Sequence, residues 1–304
     1  MFMLYDLSLH MGYSYDVPAA GGRHILRVMP LSLPGRQRLV AGSVSIEPTP
    51  VERANFTDFF QHPAITFSYR SPHDHLDIRM QARIQVEAPP LTADLSPLLP
   101  SLATELCDVW QLDPNSPHHF IGASPRLHEN PDIAAYARAH VKPGMTVRQI
   151  AETLCTRIHK EFAYDAKATS VDTTVKEAFK LKRGVCQDFS HVMILALRSL
   201  GIPAGYVSGF LRTIPPPGKE RLAGADAMHA WVRVWCGKSM GWLEFDPTNN
   251  ISAGTDHVVV GYGRDYSDVA PVIGVLRSYG SHSTVQAVDL VPLAETAKVR
   301  SEQD

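Results

Sequence analysis

Residues 183–201 read R-G-V-C-Q-D-F-S-H-V-M-I-L-A-L-R-S-L-G, and this stretch decides how the second half of the chain folds. Its apolar residues recur at the spacing of a helix with one buried face. They are Phe189, Val192, Met193, Ala196 and Leu200. Gly201 and then Pro203 end the pattern, because glycine and proline commonly stop a helix. The spacing therefore predicts a helix that begins at Cys186.

The start of this helix is a favourable place for a reactive thiol. The first N–H groups of a helix have no acceptor within the helix, and together with the helix dipole they favour a thiolate. They can also stabilise an oxyanion that forms when the thiolate attacks a carbonyl group. Gly184 permits close approach of backbone or substrate. Because most cysteines are simply buried hydrophobes, Cys186 becomes a predicted nucleophile only if a base lies nearby.

The candidate base is His229, near the start of an alternating stretch at residues 227–236, A-M-H-A-W-V-R-V-W-C. Alternation puts His229 on one face of a strand together with Trp231, Arg233 and Trp235. A lone histidine at a strand start is more often structural. The prediction of a base therefore depends on the strand that follows.

That second strand carries the candidate carboxylate, Asp246, and Pro247 ends it. For a turn centred on Gly237 and Lys238, Asp246 and His229 would be direct cross-strand neighbours on one face. A slip of one residue would put them on opposite faces. With Asp246 holding one imidazole nitrogen and the other left for Cys186, the three side chains would form a catalytic triad.

The rest of the chain divides by composition. Residues 1–90 alternate apolar and polar residues between turns, which predicts an N-terminal antiparallel β-sandwich. Residues 91–130 are proline-rich and irregular, residues 131–295 form the predicted catalytic core, and residues 296–304 are a polar tail. In the core, helices come first and strands later, with a last strand near Thr284 to Leu290, so the fold class is α+β. Helix starts are predicted by cap patterns at Asn130 with Pro131, Thr146 with Gln149, and Thr174 with Glu177.

Composition excludes several classes of partner. The chain has 304 residues and a formal net charge of −2, so nothing favours nucleic acid or an anionic membrane as a partner. The N-terminal residues lack the basic and apolar regions of a signal peptide, which predicts a cytoplasmic protein. Four cysteines without a C-x-x-C pair predict neither a disulfide framework nor structural zinc. The oligomeric state is left open.

Three motifs in this order resemble the transglutaminase-like superfamily, which is related to the papain-like fold. They are Gly184-Val-Cys-Gln-Asp-Phe at a helix start, His229-Ala-Trp-Val on a strand, and Glu244-Phe-Asp-Pro-Thr on the next. The first 90 or so residues also resemble the β-rich N-terminal domain of many bacterial members. The resemblance implies a papain-like core of helices on an antiparallel sheet, with Cys186 as nucleophile, His229 as general base then acid, and Asp246 as the orienting carboxylate.

The resemblance also implies acyl transfer through a thioester, with water as the usual acceptor in microbial members. A cysteine-dependent peptidase or amidase acting on a peptide or amide substrate is therefore expected. The alternatives are transfer of the acyl group to an amine and a peptide-binding module that lacks catalysis. Gln187, Tyr206 and Trp231 are candidate substrate-binding residues, although packing or capping roles compete for each. The loop from Arg212 to Ala227 is a candidate rim or lid.

No cofactor and no metal are expected. His73-Asp74-His75 invites a metal interpretation, but it sits in a turn next to Pro72 without an identifiable third ligand. His118-His119 lies in a loop and is no stronger. Neither group is expected to bind a metal.

Overall fold

The computed structural model describes residues 2–90, 92–213, 224, 226–277 and 280–293. Within these residues the chain forms one seven-stranded sheet, one five-stranded sheet and several helices. The expected mixture of a strand-rich N-terminal part with a helical and then strand-rich second part is confirmed. No helix in the described ranges is both long and apolar enough to cross a bilayer. The predicted polar tail, residues 296–304, lies outside the described residues.

The N-terminal part is a sheet built around one long strand. Its strands are β1 (Phe2–Leu26), β2 (Gln37–Glu47), β3 (Glu52–Thr57), β4 (Pro63–Tyr69) and β5 (His73–Glu87). They lie in the order β2-β5-β1-β4-β3, and β1 pairs with β5 along its first part and with β4 along its last. Because β1 joins both halves, the strands form one connected sheet, and the separate two-sheet sandwich is not confirmed.

Helices dominate the first part of the predicted core, as the capping patterns indicated. They are α2 (Pro131–Ala139), α3 (Val147–Glu161), α4 (Val175–Leu181) and α5 (Cys186–Arg198). A further helix, α1 (Leu99–Cys107), and a 3-10 turn at Pro117–Phe120 lie in the segment 91–130 that was expected to be irregular. Asn130 caps α2, and Thr146 and Thr174 open capping boxes at α3 and α4. All three predicted helix starts are confirmed, because a side-chain oxygen meets the first free N–H groups in each case.

The second sheet lies against α5. Its strands are β8 (Ala204–Leu211), β9 (Ala227–Trp235), β10 (Trp242–Asp246), β11 (Ile251–Ser252) and β12 (His257–Gly263), in the antiparallel order β11-β10-β9-β8-β12. A short parallel pair, β6 (Ala163–Tyr164) and β7 (Arg183–Gly184), precedes α5. Val192 and Ala196 of α5 share one hydrophobic core with Ala230 and Val232 of β9. This packing fixes the start of α5 beside the start of β9.

The last strands leave the core sheet. After a short helix α6 (Tyr266–Val269), strands β13 (Val272–Arg277) and β14 (His282–Pro292) both pair with β1 of the N-terminal sheet. The strand expected near Thr284 to Leu290 exists, but the prediction that it belongs to the sheet of the core is wrong, because it pairs with β1. Its buried residues Val288 and Leu290 complete the N-terminal hydrophobic core instead. The proposed domain boundaries, including 131–295 for the core, stay a prediction.

Candidate active site

Cys186 is the first residue of α5, and its neighbours Gly184 and Asp188 shape the start of this helix. Asp188 turns back so that its Oδ2 accepts the Val185 N–H at 2.8 Å and the Thr169 hydroxyl at 2.7 Å. Gly184 has a φ of 157°, and a Cβ there would collide with the Asp188 side chain. Asp188 therefore caps the helix that carries Cys186, and a glycine at position 184 leaves room for that cap.

His229 and Asp246 meet in the adjoining sheet. The His229 Nε2–H donates to Asp246 Oδ2 at 2.8 Å, and the two side chains are 7% and 0% exposed. The predicted register, with these two residues directly opposite, is wrong. Trp242 pairs with Trp235 and Phe245 with Val232, so the hairpin is shifted by two residues from the predicted pairing.

The turn explains this shift. Cys236 N–H donates to Gly241 O and Gly241 N–H to Gly237 O, which makes a longer turn than the two-residue one assumed from the sequence. Gly237 and Gly241 both have positive φ, at 84° and 61°. Because a shift of two residues preserves the face, His229 and Asp246 stay on the same side of the sheet, as diagonal neighbours.

Asp246 and Cys186 both favour the charged form of the His229 imidazole. Burial alone would lower the pKa of His229, but its interactions with Asp246 and with Cys186 outweigh burial and raise it to about 10. Since Nε2 faces Asp246, Nδ1 is the nitrogen left for Cys186. His229 is therefore hydrogen-bonded to Asp246 and close enough to Cys186 to interact with it electrostatically.

Asp246 accepts more hydrogen bonds than the triad alone requires. Its Oδ1 accepts the backbone N–H groups of Thr248 at 2.9 Å and Asn249 at 3.2 Å. Its Oδ2 accepts the Asn249 side-chain amide at 2.7 Å and His257 Nε2–H at 3.3 Å, besides His229. Burial would raise the pKa of Asp246, but these donors hold it well below its usual range. The sequence analysis missed both Asn249 and His257, although His257 begins a recognisable strand pattern.

The other cysteines differ from Cys186. All four are free thiols, and Cys186 is half-buried whereas Cys107 is exposed. Burial raises the pKa of both Cys155 and Cys236 to about 12, so both are neutral thiols at physiological pH.

The cytoplasmic location expected from the sequence stays a prediction.

A buried ion pair anchors the strand that ends in Asp246. Glu244 accepts hydrogen bonds from both terminal NH2 groups of the Arg36 guanidinium, with Nη2 at 2.6 Å, and Arg36 belongs to the N-terminal part. Glu244 also accepts hydrogen bonds from the indole N–H of Trp231 at 2.5 Å and from the hydroxyl of Tyr262 at 2.9 Å. Burial would raise the pKa of Glu244, but Arg36 outweighs it and lowers the pKa. Glu244 is therefore a structural carboxylate two residues before Asp246.

The predicted substrate-binding residues have different positions. Tyr206 is buried and close enough to Cys186 for the two to interact electrostatically. Gln187 is buried, and its amide donates to Val171 O at 3.2 Å. Trp231 is completely buried, and its indole N–H donates to Glu244. Its assignment to a substrate cleft stays a prediction. Most of the proposed rim or lid between Arg212 and Ala227, including its proline run, lies outside the described residues.

One cluster could in principle ligate a metal. His229, Asp246 and His257 offer ligand atoms within 4.8 Å of one another. Both imidazole Nε2–H groups already donate to the carboxylate, so an ion would have to displace these hydrogen bonds. The absence of a metal stays an expectation. In the other two histidine groups, His75 hydrogen-bonds its neighbour Asp74 and His118 faces the Val109 carbonyl, and the absence of a metal there also stays an expectation.

Two family models match the chain. Residues 134–247 match the model of the transglutaminase-like superfamily, and residues 5–85 match that of the bacterial transglutaminase-like N-terminal region. The first match contains Cys186, His229 and Asp246, and the second contains most of the N-terminal sheet.

Relatives of similar length exist in mycobacteria. A protein of Mycobacterium tuberculosis strain H37Rv, named only as uncharacterized, is 36% identical over 274 residues, which are 84% of this chain and 83% of the relative. Another from Mycobacterium leprae is 29% identical over 297 residues, covering 93% of this chain and 96% of that protein. These names assign no activity.

A solved structure has the same overall fold. A Cytophaga hutchinsonii protein named "Putative Cysteine Protease" superposes with a TM-score of 0.68 and 18% sequence identity, covering 97% of this chain and 93% of that one. At this identity the likeness shows the fold alone. It extends through both the N-terminal sheet and the helical core.

Proposed function

Since the chain belongs to the transglutaminase-like superfamily, we propose that it is a cysteine-dependent hydrolase of amide bonds, a peptidase or amidase that works through a thioester. The observation that carries the proposal is the buried hydrogen bond between His229 and Asp246, with Cys186 at the start of α5 close enough to interact with the same imidazole. A structural cysteine needs no such partner. A nucleophile does, because a thiol attacks as its thiolate.

In the first half of the proposed reaction, the Cys186 sulfur attacks the amide carbonyl carbon. The oxyanion that forms is stabilised by N–H groups at the start of α5. His229 then gives its proton to the leaving nitrogen as the C–N bond breaks, and the acyl group stays on Cys186 as a thioester. Asp246 keeps Nε2 of the imidazole protonated throughout, so that Nδ1 carries out the proton transfer.

In the second half, water replaces the amine. His229, now neutral, takes a proton from water as it attacks the thioester carbon. The C–S bond breaks, the acid leaves, and Cys186 and His229 return to their starting state. Water and an amine could both open the thioester, and no amine-binding feature is evident among the described residues around Cys186. Hydrolysis is therefore the proposed outcome, with amine transfer as the competitor.

The experiment is a screen of peptide and amide libraries with purified protein, using Cys186→Ala as the matched blank. We expect turnover only with the wild type. Acid-quenched reactions should contain a substrate-derived acyl group on the peptide that includes Cys186, detected by mass spectrometry. Turnover that survives in Cys186→Ala, or an acyl group found on another residue, would refute the proposal.

A further inference from the structure

Strand β12 is an edge of the core sheet, and the N-terminal part supplies partners to its outer side. An edge strand presents N–H and C=O groups that lack a neighbouring strand. The buried side-chain amide of Gln37 accepts the Val259 N–H at 2.8 Å and donates to the Val259 carbonyl at 2.8 Å. The Leu31 N–H also donates to the same carbonyl at 3.1 Å. Gln37 thus pairs with the edge as a neighbouring strand would.

Two further contacts hold the ends of the same strand. The Tyr262 N–H donates to Nε2 of the buried His62 at 3.0 Å, and His62 is held in turn by Asp58. At the other end, the Tyr5 hydroxyl donates to Asp256 at 2.9 Å. The N-terminal part therefore contacts β12 beside its first residue, in its middle and near its last residue. Buried polar groups are rarely left without partners, so these contacts also fix where β12 can lie.

The first residue of β12 is His257, which faces Asp246. His257 is 1% exposed, and its ring packs edge-on against Trp231 with centroids 5.1 Å apart. Its Nδ1 accepts the Gly254 N–H at 3.3 Å, which leaves the proton on Nε2. That proton is donated to Asp246 Oδ2 at 3.3 Å, the same oxygen that His229 contacts.

We propose that His257 is a positioning residue of the active site, and that the N-terminal part sets its position by holding β12. The proposal rests on the proposed function, because His257 acts only through Asp246 and His229. Donors on both carboxylate oxygens fix the plane of Asp246, and His257 is one of the donors to Oδ2. Without it, the carboxylate gains freedom to rotate, and His229 loses part of its alignment with Cys186. Misalignment of reacting groups by a fraction of an ångström to an ångström costs roughly ten- to a hundredfold in rate.

The first test removes the donor and measures the reactivity of Cys186, which needs no knowledge of the substrate. We expect His257→Leu to slow iodoacetamide alkylation of Cys186 on the order of tenfold at about pH 6.5, and His257→Gln, which can still donate from a similar place, to retain most of the rate. In an Asp246→Asn background, His257→Leu should cause no further loss. His75→Leu, an exposed histidine of the N-terminal sheet, is the control.

The second test acts from the N-terminal part. Gln37→Ala should slow alkylation of Cys186 as His257→Leu does, and the two together should cost no more than His257→Leu alone. Gln81→Ala is the matched control, because Gln81 is an exposed glutamine on the same sheet. Thermal unfolding of each variant separates loss of alignment from loss of fold. If His257→Leu does not fold, His257→Gln and Gln37→Ala still carry the test.

Some outcomes would overturn the inference. A folded His257→Leu or Gln37→Ala protein with wild-type reactivity of Cys186 would do so. So would a His257→Leu effect of equal size in the Asp246→Asn background, because it would mean that His257 does not act through Asp246. Wild-type Cys186 that alkylates no faster than the exposed Cys107 is a different result, since it would refute the proposed function itself.

Discussion

The imidazole Nε2 of His229 and Oδ2 of Asp246 are 2.8 Å apart in a site that water barely reaches. In such a site a charge-assisted hydrogen bond is stronger than at the surface, because the surroundings screen it less. The carboxylate can therefore hold the imidazole in one orientation and favour its protonated form. Three of the expectations below depend on this pair.

Asp246→Asn is expected to lower kcat at least about tenfold, with a smaller change in KM. Both oxygens of Asp246 accept hydrogen bonds, so an amide must turn its NH2 group toward N–H donors on one side or the other. Either His229 would then lose its hydrogen-bond acceptor, or the backbone N–H groups of Thr248 and Asn249 would lose theirs. Steady-state kinetics on a substrate from the library screen would measure the effect. Asp74→Asn, an exposed aspartate beside a histidine, is the control and should match the wild type.

The pH dependence of kcat/KM should fall on the alkaline side near the pKa of His229, which its partners raise to about 10. The imidazolium is the acid that protonates the leaving amine, so activity is lost as pH rises through that value. Asp246→Asn should move this fall to lower pH, because the carboxylate is one of the groups that raises the pKa. A profile that falls at the ordinary histidine value of about 6.5 in the wild type would contradict this account.

Arg36→Met is expected to lower the free energy of unfolding by about 3 kcal/mol at neutral pH, since it leaves the Glu244 carboxylate buried without its cation. Because Arg36 holds the pKa of Glu244 below its ordinary value, the contribution is present above about pH 4.5 and is lost as pH falls through the folded value. The loss caused by Arg36→Met should therefore shrink in acid. Urea unfolding at two pH values measures it.

Two further variants make that experiment selective. Adding Glu244→Gln to Arg36→Met should recover part of the stability, because a neutral amide can stay buried with the Trp231 and Tyr262 donors beside it. Arg83→Met removes an exposed partner of Asp6 and should leave the urea midpoint unchanged. Equal losses from Arg36→Met and Arg83→Met would mean that the buried pair has no special role.

Local signals were enough to predict helices α2 to α5 and the faces of the strands that carry His229 and Asp246. Cap residues such as Thr146 act on N–H groups only three residues away, and alternation places His229 and Asp246 on one face whatever the register. The register itself was not predictable, because the turn length depends on backbone conformations at Gly237 and Gly241. A two-residue error was harmless here only because it preserves the face.

Contacts between residues far apart in the chain could not be predicted from the sequence. Arg36 and Glu244 are separated by 208 residues, and nothing in either motif indicates the pairing. The return of β14 to the N-terminal sheet was missed for the same reason, since its alternating pattern would suit either sheet. His257 was overlooked because its contact with Asp246 is recognised only after β10 and β12 are placed in space.

Hydrolysis should dominate over transfer to an amine. With a turned-over substrate, millimolar primary amine should divert only a minor share of the product into the new amide, because no amine-binding feature is evident among the described residues near Cys186. Product analysis by mass spectrometry gives the ratio. If most of the product were the new amide, the hydrolase assignment would give way to a transamidase, while the thioester mechanism would stand.

The most direct measurement is limited labelling with iodoacetamide at about pH 6.5, followed by mass-spectrometric mapping of all four cysteines. We expect Cys186 to be modified well before Cys107, Cys155 and Cys236, because Cys186 is the cysteine that interacts with His229 in the part of the chain that the structure describes. His229→Ala should abolish this preference while the protein stays folded. Equal labelling of Cys186 and the exposed Cys107 in the wild type would contradict the account, because it would mean that His229 does not activate the thiol.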